Sequence, residues 1–279
     1  MILSLFCIAF ASESRAAGAH VIIYHTFLGK ERIKTDFTLE ELREHVGALK
    51  RSGFRFVTYA DIAAGRVSGS NNVLLCIDDG NRTVYRAYME VLRPEGIKPL
   101  LAIYPNIIGR KHYALNWNQL RELAREGCEI AAHGFFHLHV NEKLYKKNRK
   151  YFLGEIHKSK RVLEERLGRP VSVFVYPSGE KSERAEEEIQ SAGYRHAFGI
   201  KWGVLRVPLS DNKNPFDLPR YMLMRENWRN IFAKIERNAG RLEYADGRRP
   251  VRKASSRANG GISSQNPGSR KRQGAVRSG

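Results

Sequence analysis

At 279 residues with 42% hydrophobic content, the chain can bury a full core, which excludes a wholly disordered protein and leaves one large α/β domain or two small ones. The net charge is +19, yet nine Lys/Arg and no Asp or Glu fall in residues 247–279, leaving +10 for residues 1–246. Three cysteines (Cys7, Cys76 and Cys128) exclude a disulfide framework, and no stretch reaches transmembrane length.

In chain order, residues 2–11 are apolar and end in Ala9-Phe10-Ala11, an A-x-A cleavage pattern without a basic n-region. The expected organisation is a signal-peptide-like leader over 1–19, a folded domain over 20–240 and a basic disordered tail over 241–279. The tail holds too few large apolar side chains to offset chain entropy. Residues 20–25 read as a buried strand. A helix is expected over 38–50, opened by a Thr38/Glu41 capping box and ended by Gly53, with Leu39, Leu42, Val46 and Leu49 as its apolar stripe. A strand over 54–58, a short helical piece over 60–64 and a strand over 73–77 follow. Then come a helix over 82–92, a strand over 99–104, and a helix over 116–126 capped by Asn116 with Gln119. Next are a strand over 128–132, one long helix over 145–167 and a strand over 171–176. A helix over 182–192, strands over 196–200 and 218–223, and a helix over 227–238 complete the chain.

Short strands alternating with longer helices predict βαβ units and a parallel sheet. Seven or eight strands predict closure into a barrel, with an open doubly wound sheet as the alternative. Either way, functional groups should gather at the carboxyl ends of the strands. Asp78, Asp79, His133 and Ser178 each come directly after an apolar strand segment.

Two adjacent carboxylates at the end of a buried strand repel each other and resist desolvation, and a metal ion is the usual reason for them. His133 and His137 are four apart, so one compact loop would bring both imidazoles to a single ion. Asp79, His133 and His137 would form a two-His-one-carboxylate set suited to Zn²⁺, and also to Fe²⁺ or Co²⁺. His139 is expected at the surface or behind the ligands. Adjacent strand side chains point to opposite faces, so Asp78 and Asp79 share a site only if the strand breaks, which Gly80 permits. The alternative is an Asp-Asp-Gly turn that caps the next helix.

Cys76-Ile77-Asp78-Asp79-Gly80, His133-x-x-x-His137 and Val175-Tyr176-Pro177-Ser178-Gly179 resemble the first three motifs of the polysaccharide deacetylases, the carbohydrate esterase family 4 enzymes with a NodB-homology domain. Ile22-Ile23-Tyr24-His25 and residues 37–62 look like the start of bacterial members acting on poly-N-acetylglucosamine. The resemblance spans about 20–229. It implies an α/β fold, a distorted (β/α) barrel of mostly parallel strands, in which Asp79, His133 and His137 bind a divalent metal, commonly zinc. Asp78 would be the general base toward a metal-bound water, and the backbone N–H of Ser178 would hold the oxyanion.

Tyr176, Pro177, Ser178 and Arg220 would face substrate or oxyanion. This chain departs from the family in having Val175 where an Arg is common and Ser178 where a Tyr is common. Arg220 would supply the fourth motif and orient Asp78, the alternative being a surface Arg on an edge strand. The fifth-motif His is missing, since none occurs after His196. His25 is the candidate to protonate the leaving amine. Tyr104, Phe135, Phe136, Tyr176 and Trp202 are candidate walls of a sugar groove.

The reading is an exported, periplasmic, extracellular or cell-surface enzyme that takes an N-acetylated polysaccharide. A degenerate glycan binder of the same fold, or a hydrolase of small amides or cyclic imides, is the alternative. The tail would contact an anionic surface. Nucleic acid is disfavoured, because the charge sits in a structureless segment without a recognition motif.

Overall fold

The computed structural model describes residues 17–245, with side chains through 241; the leader-like residues 1–16 with Cys7, and the basic residues 246–279, lie outside the described residues. β1 (Ala17–Tyr24) is buried along its whole length and starts ahead of the expected boundary at 20. The reason is a pairing that the sequence does not announce: Ala17, Gly18 and Ala19 run antiparallel to β8 (Leu205–Val207). Three residues of β8 are too short to show an alternating pattern.

α1 (Leu39–Arg51) begins at the expected capping box. Glu41 N–H donates to Thr38 Oγ1 at 3.0 Å, and Thr38 N–H donates to the Glu41 carboxylate at 2.7 Å. β2 (Arg55–Phe56) keeps only the middle of its expected strand, and α2 (Tyr59–Ala63) comes next. β3 (Asn72–Asp79) carries both aspartates. α3 (Thr83–Ala87) continues as a π turn over Tyr88–Leu92. β4 (Leu100–Ile103), α4 (Trp117–Arg125) with its Asn116/Gln119 capping box, and β5 (Glu129–Ala132) lie where expected.

The single helix expected over 145–167 is broken. It consists of α5 (Glu142–Lys147), α6 (Arg149–Leu153), a π turn over Gly154–Lys158 and α7 (Ser159–Leu167). Asn148 makes the first break at φ −158°, ψ 86°, where its side chain accepts from Tyr151 N–H and caps the next helix. An Asn side chain competes for backbone donors in this way wherever the helix is weak. β6 (Val173–Val175), α8 (Glu183–Ser191), β7 (His196–Phe198), β9 (Tyr221–Met222) and α9 (Trp228–Ala245) complete the chain.

The sheet order is β7-β6-β5-β4-β3-β1-β8, with β2 along the start of β3 and β9 along β1; only β8 runs antiparallel. Among the described residues the strands number nine rather than seven or eight, the surplus being two- and three-residue pieces. The sheet curls into a distorted (β/α) barrel. Leu218 bridges Phe198 of β7, while Tyr221 and Met222 pair with Ile22 and Ile23 of β1. Residues 218–222 thus join the two sides of the curl.

Side-chain alternation divides the core into two layers. Ala19, Val21, Leu74, Cys76, Ala102, Ala131, Val173 and Val175 fill the inner face. Ile22, Tyr24, Leu75, Ile77, Leu101, Ile103, Ala132 and Phe174 pack outward against the helices. Burying each large aliphatic is worth about 1.5–3 kcal/mol, so register is strongly held, and with it the inward direction of the side chains that extend the inner row.

Candidate active site

The inner row ends in polar residues. Ala19 and Val21 lead to His25, Leu74 and Cys76 lead to Asp78, and Ala131 leads to His133. Ile23 pairs with Cys76 and Tyr24 with Ile77, so His25 emerges level with Asp78. Asp79 by alternation should face outward. It does not, because Asp79 itself adopts φ 77°, and Gly80 after it φ 81°. The break expected at Gly80 begins one residue earlier. A side chain at 80 would also meet Ile103 and Ile108 at 3.1 Å each, so glycine is required there. Asp79, His137 (φ 66°) and Ser178 (φ 56°) are the non-glycine residues with positive φ among the described residues. Each such residue costs on the order of 1–3 kcal/mol, and all three sit around one site, where such strain is typically concentrated.

Asp78 is buried and fully engaged. Arg220 Nη1 donates to both carboxylate oxygens at 2.9 and 3.0 Å, and the Cys76 thiol lies 3.2 Å from Oδ1. Burial pushes the Asp78 carboxyl up, but Arg220, then His133 and His25, outweigh it and hold the group below the usual carboxylate range. Arg220 is buried too; burial works against its charge, Asp78 more than restores it, and its Nε donates to Gly199 O at 2.8 Å. Arg220 is therefore no surface residue: it is buried against Asp78.

Three candidate metal donors converge beside this pair. Ligand atoms of Asp79, His133 and His137 lie within 4.8 Å of one another. Asp79 Oδ1 is 3.7 Å from His133 Nε2 and 3.4 Å from His137 Nε2, and the two Nε2 atoms are 3.2 Å apart. His133 Nδ1 is 2.8 Å from Val175 O, a contact that assigns the proton to Nδ1 and the lone pair to Nε2. Burial lowers the His133 pKa to about 4, against the nearby aspartates, so the ring is neutral at physiological pH. Asp79 Oδ1 is buried with no hydrogen-bond partner among the described residues. Two imidazole nitrogens and a carboxylate oxygen without a hydrogen bond face one point, a donor set that fits a divalent metal.

The other expected residues divide. His25 is half-buried, with an unpaired Nδ1, near enough for its charge to act on Asp78. Pro177 and Ser178 form a tight turn after β6, and Ser178 Oγ lies 3.1 Å from His139 Nε2. His139 is exposed and outside the donor cluster. Tyr104 stacks 5.1 Å from the His137 ring, and Phe136 is exposed on the His loop. Tyr176, expected to face substrate, is instead fully buried against Phe174. Its side chain belongs to the outward row, not the inner one. Phe135 is also buried, and Trp202 lines a separate cavity with Lys201, Arg206 and Lys213.

Sequence reasoning missed Glu155. Its buried carboxylate accepts the backbone N–H groups of Phe135, Phe136 and Leu138 in the His loop. The only local signal is a Glu beside the glycine of a weak helical stretch.

Residues 65–197 match the family model described as polysaccharide deacetylase. The Bacillus subtilis (strain 168) protein YxkH, assigned by name to the polysaccharide deacetylases, is 22% identical over 191 residues, 67% of this chain and 66% of that protein. The match thus spans just under two thirds of that relative. IcaB from Ammonifex degensii superposes at a TM-score of 0.69 with 24% identity, over 78% of this chain and 97% of IcaB. A de-N-acetylase from Aggregatibacter actinomycetemcomitans gives 0.66 with 17% identity, over 78% and 99%. The two structures speak for the fold. His25 and Arg220 lie outside the family match, so their place rests on geometry alone.

Proposed function

Because residues 65–197 match the polysaccharide deacetylase family model, we propose that this chain is a metal-dependent hydrolase of that family, removing N-acetyl groups from N-acetylhexosamine units of a polysaccharide. The observation that carries this reading is the pairing of an ionised, Arg-held Asp78 with three adjacent side chains whose ligand atoms lie within 4.8 Å of one another. Asp79, His133 and His137 would hold the ion, for which Zn²⁺ is the best fit to the donor set and Fe²⁺ or Co²⁺ the next. When bound, a divalent ion supplies Lewis acidity at the acetamide carbonyl and at the attacking water.

The remaining work falls to the protein. Asp78 takes a proton from the attacking water; Arg220 keeps the carboxylate ionised and aimed. The Ser178 backbone N–H serves the developing oxyanion, a role that does not depend on its side chain. His25 donates a proton to the departing amine, because an amide anion is not a viable leaving group. The Asp79 and His137 side chains are about one third exposed (33% and 31%), which leaves the site reachable by a polymer. A binding-only role gives no reason to keep a buried charged pair beside the cluster.

The test measures bound metal and acetate release on a panel of N-acetylated glycans. Wild type should bind one divalent ion and release acetate from at least one polymer, while Asp78→Asn retains metal without turnover and His133→Ala loses both. A metal-loaded wild type inert on every glycan would overturn the reading. Export, suggested by the apolar start ending in Ala9-Phe10-Ala11, and attachment to an anionic surface through 247–279 belong to the same proposal. Cell fractionation with and without each segment tests them. Among the described residues no helix is long and apolar enough to cross a membrane.

A further inference from the structure

The loop carrying His137 has no regular structure of its own, yet His137 holds a left-handed backbone at φ 66°. Its shape comes from one side chain. Glu155 Oε2 accepts from Phe135 N–H at 3.0 Å, Phe136 N–H at 3.1 Å and Leu138 N–H at 3.0 Å, and Oε1 accepts from Phe136 N–H at 2.9 Å. The donors flank His137 on both sides. Three backbone N–H groups pointing into one concavity require an anion or an acceptor, and a carboxylate is the one side chain that offers acceptors only.

The carboxylate is delivered by a purpose-shaped turn. Glu155 lies in the π turn over Gly154–Lys158, which disturbs the ordinary helical bonding of nearby carbonyls. Ser159 Oγ donates to Glu155 O at 2.6 Å, and Tyr194 OH donates to Ile156 O at 3.0 Å, so the distortion is internally satisfied. Lys158 of the same turn places its Nζ 4.0 Å from the Phe135 ring centre, gripping the loop a second time. Opposite, Gly134 at φ 73° has no room for a side chain, since a methyl there would overlap Glu155 Oε2.

We propose that Glu155 is the positioning residue that shapes the 134–138 loop and, through His137, sets the affinity of the Asp79–His133–His137 cluster for divalent metal. The inference rests on reading that cluster as a metal centre. Glu155 touches neither substrate nor ion; it fixes the loop conformation in which His137 Nε2 meets His133 Nε2. Groups behind metal ligands commonly carry about 10–100-fold in affinity.

The decisive measurement is zinc affinity by chelator competition for wild type, Glu155→Gln and Gly134→Ala, with unfolding of the metal-free proteins tracked in parallel. Gln replaces one acceptor oxygen with a donor NH₂ facing backbone donors, and the Ala methyl displaces the same carboxylate from the loop side. Both should weaken zinc binding about 10–100-fold. Activity at saturating zinc should return to within a few-fold of wild type, with KM for the glycan little changed. Cobalt-loaded Glu155→Gln should show an altered visible spectrum. A Glu155→Gln protein that folds only with excess zinc also supports the assignment. Folded variants that bind zinc within about twofold of wild type would overturn it. Wild type that binds no metal would instead overturn the metal-centre reading itself, so the two failures are distinguishable.

Discussion

Asp78 on the inner face of the curled sheet and His20 and His45 on the outer one handle burial in opposite ways. The inner face keeps charge: Asp78 and Arg220 are both buried, both ionised and bound to each other. On the outer face two buried histidines are held without charge. His20, with neither ring nitrogen hydrogen-bonded among the described residues, sits against Phe54 and Tyr221, and His45 packs among Phe37, Trp228 and Phe232 with Tyr24 OH at 3.0 Å from Nδ1. Burial lowers the pKa of each to about 4. The lesson is that a charge is kept in the interior only where a partner from elsewhere in the chain can be brought to it.

The sharpest break of this contrast is Arg220→Ala, which leaves the Asp78 carboxylate buried without a partner. Denaturant unfolding should show a loss of about 3–5 kcal/mol, and acetate release should vanish. Replacing both Asp78 and Arg220 with apolar residues should recover most of that stability and none of the activity. Next in size is acid sensitivity on the outer face. An unfolded His titrates near 6.5, whereas folded His20 titrates at about 4, so the unfolded state takes its proton first. Stability should be full above pH 6.5 and fall by on the order of 2–3 kcal/mol toward pH 4. His20→Phe should flatten that part of the stability–pH curve; an unchanged slope would remove His20 as its source.

Smaller again is Thr38→Ala, which deletes the α1 cap. It should cost about 1 kcal/mol in thermal or denaturant unfolding and leave acetate release at saturating metal unchanged. The smallest effect on stability belongs to Asp79→Asn. Asp79 Oδ1 has no hydrogen-bond partner among the described residues, so metal-free stability should move by about 0.5 kcal/mol or less. Metal retained after gel filtration should nevertheless drop sharply. A large loss of metal-free stability would mean that Asp79 serves the fold.

Much of this was legible in the residues. The alternation of strands and helices, the Thr38 and Asn116 caps and the placing of Asp78 at the end of an apolar strand come from local pattern, and local pattern acts over a few residues. What escaped was set by tertiary context. Tyr176 reads as an aromatic beside a motif, yet its strand parity sends it outward into the helix layer. β8 is three residues held by an edge of β1, with no periodicity to read. Asn148 and the π turn after it break a stretch whose composition favours one helix. The positive φ at Asp79, which brings two adjacent carboxylates to one place, has no mark in the sequence beyond the neighbouring glycine.

The joining segment 218–222 has a consequence for the order of assembly. The guanidinium that neutralises Asp78 arrives 142 residues later in the chain, on the same short piece that pairs with β1 and reaches β7. Until that piece docks, an ionised Asp78 has no place in a dry interior, and the mouth of the barrel must stay wet or protonated. The piece that closes the curl is therefore also the one that brings Arg220 to Asp78, and a chain interrupted before Leu218 would keep Asp78, Asp79, His133 and His137 but lack the guanidinium that holds Asp78.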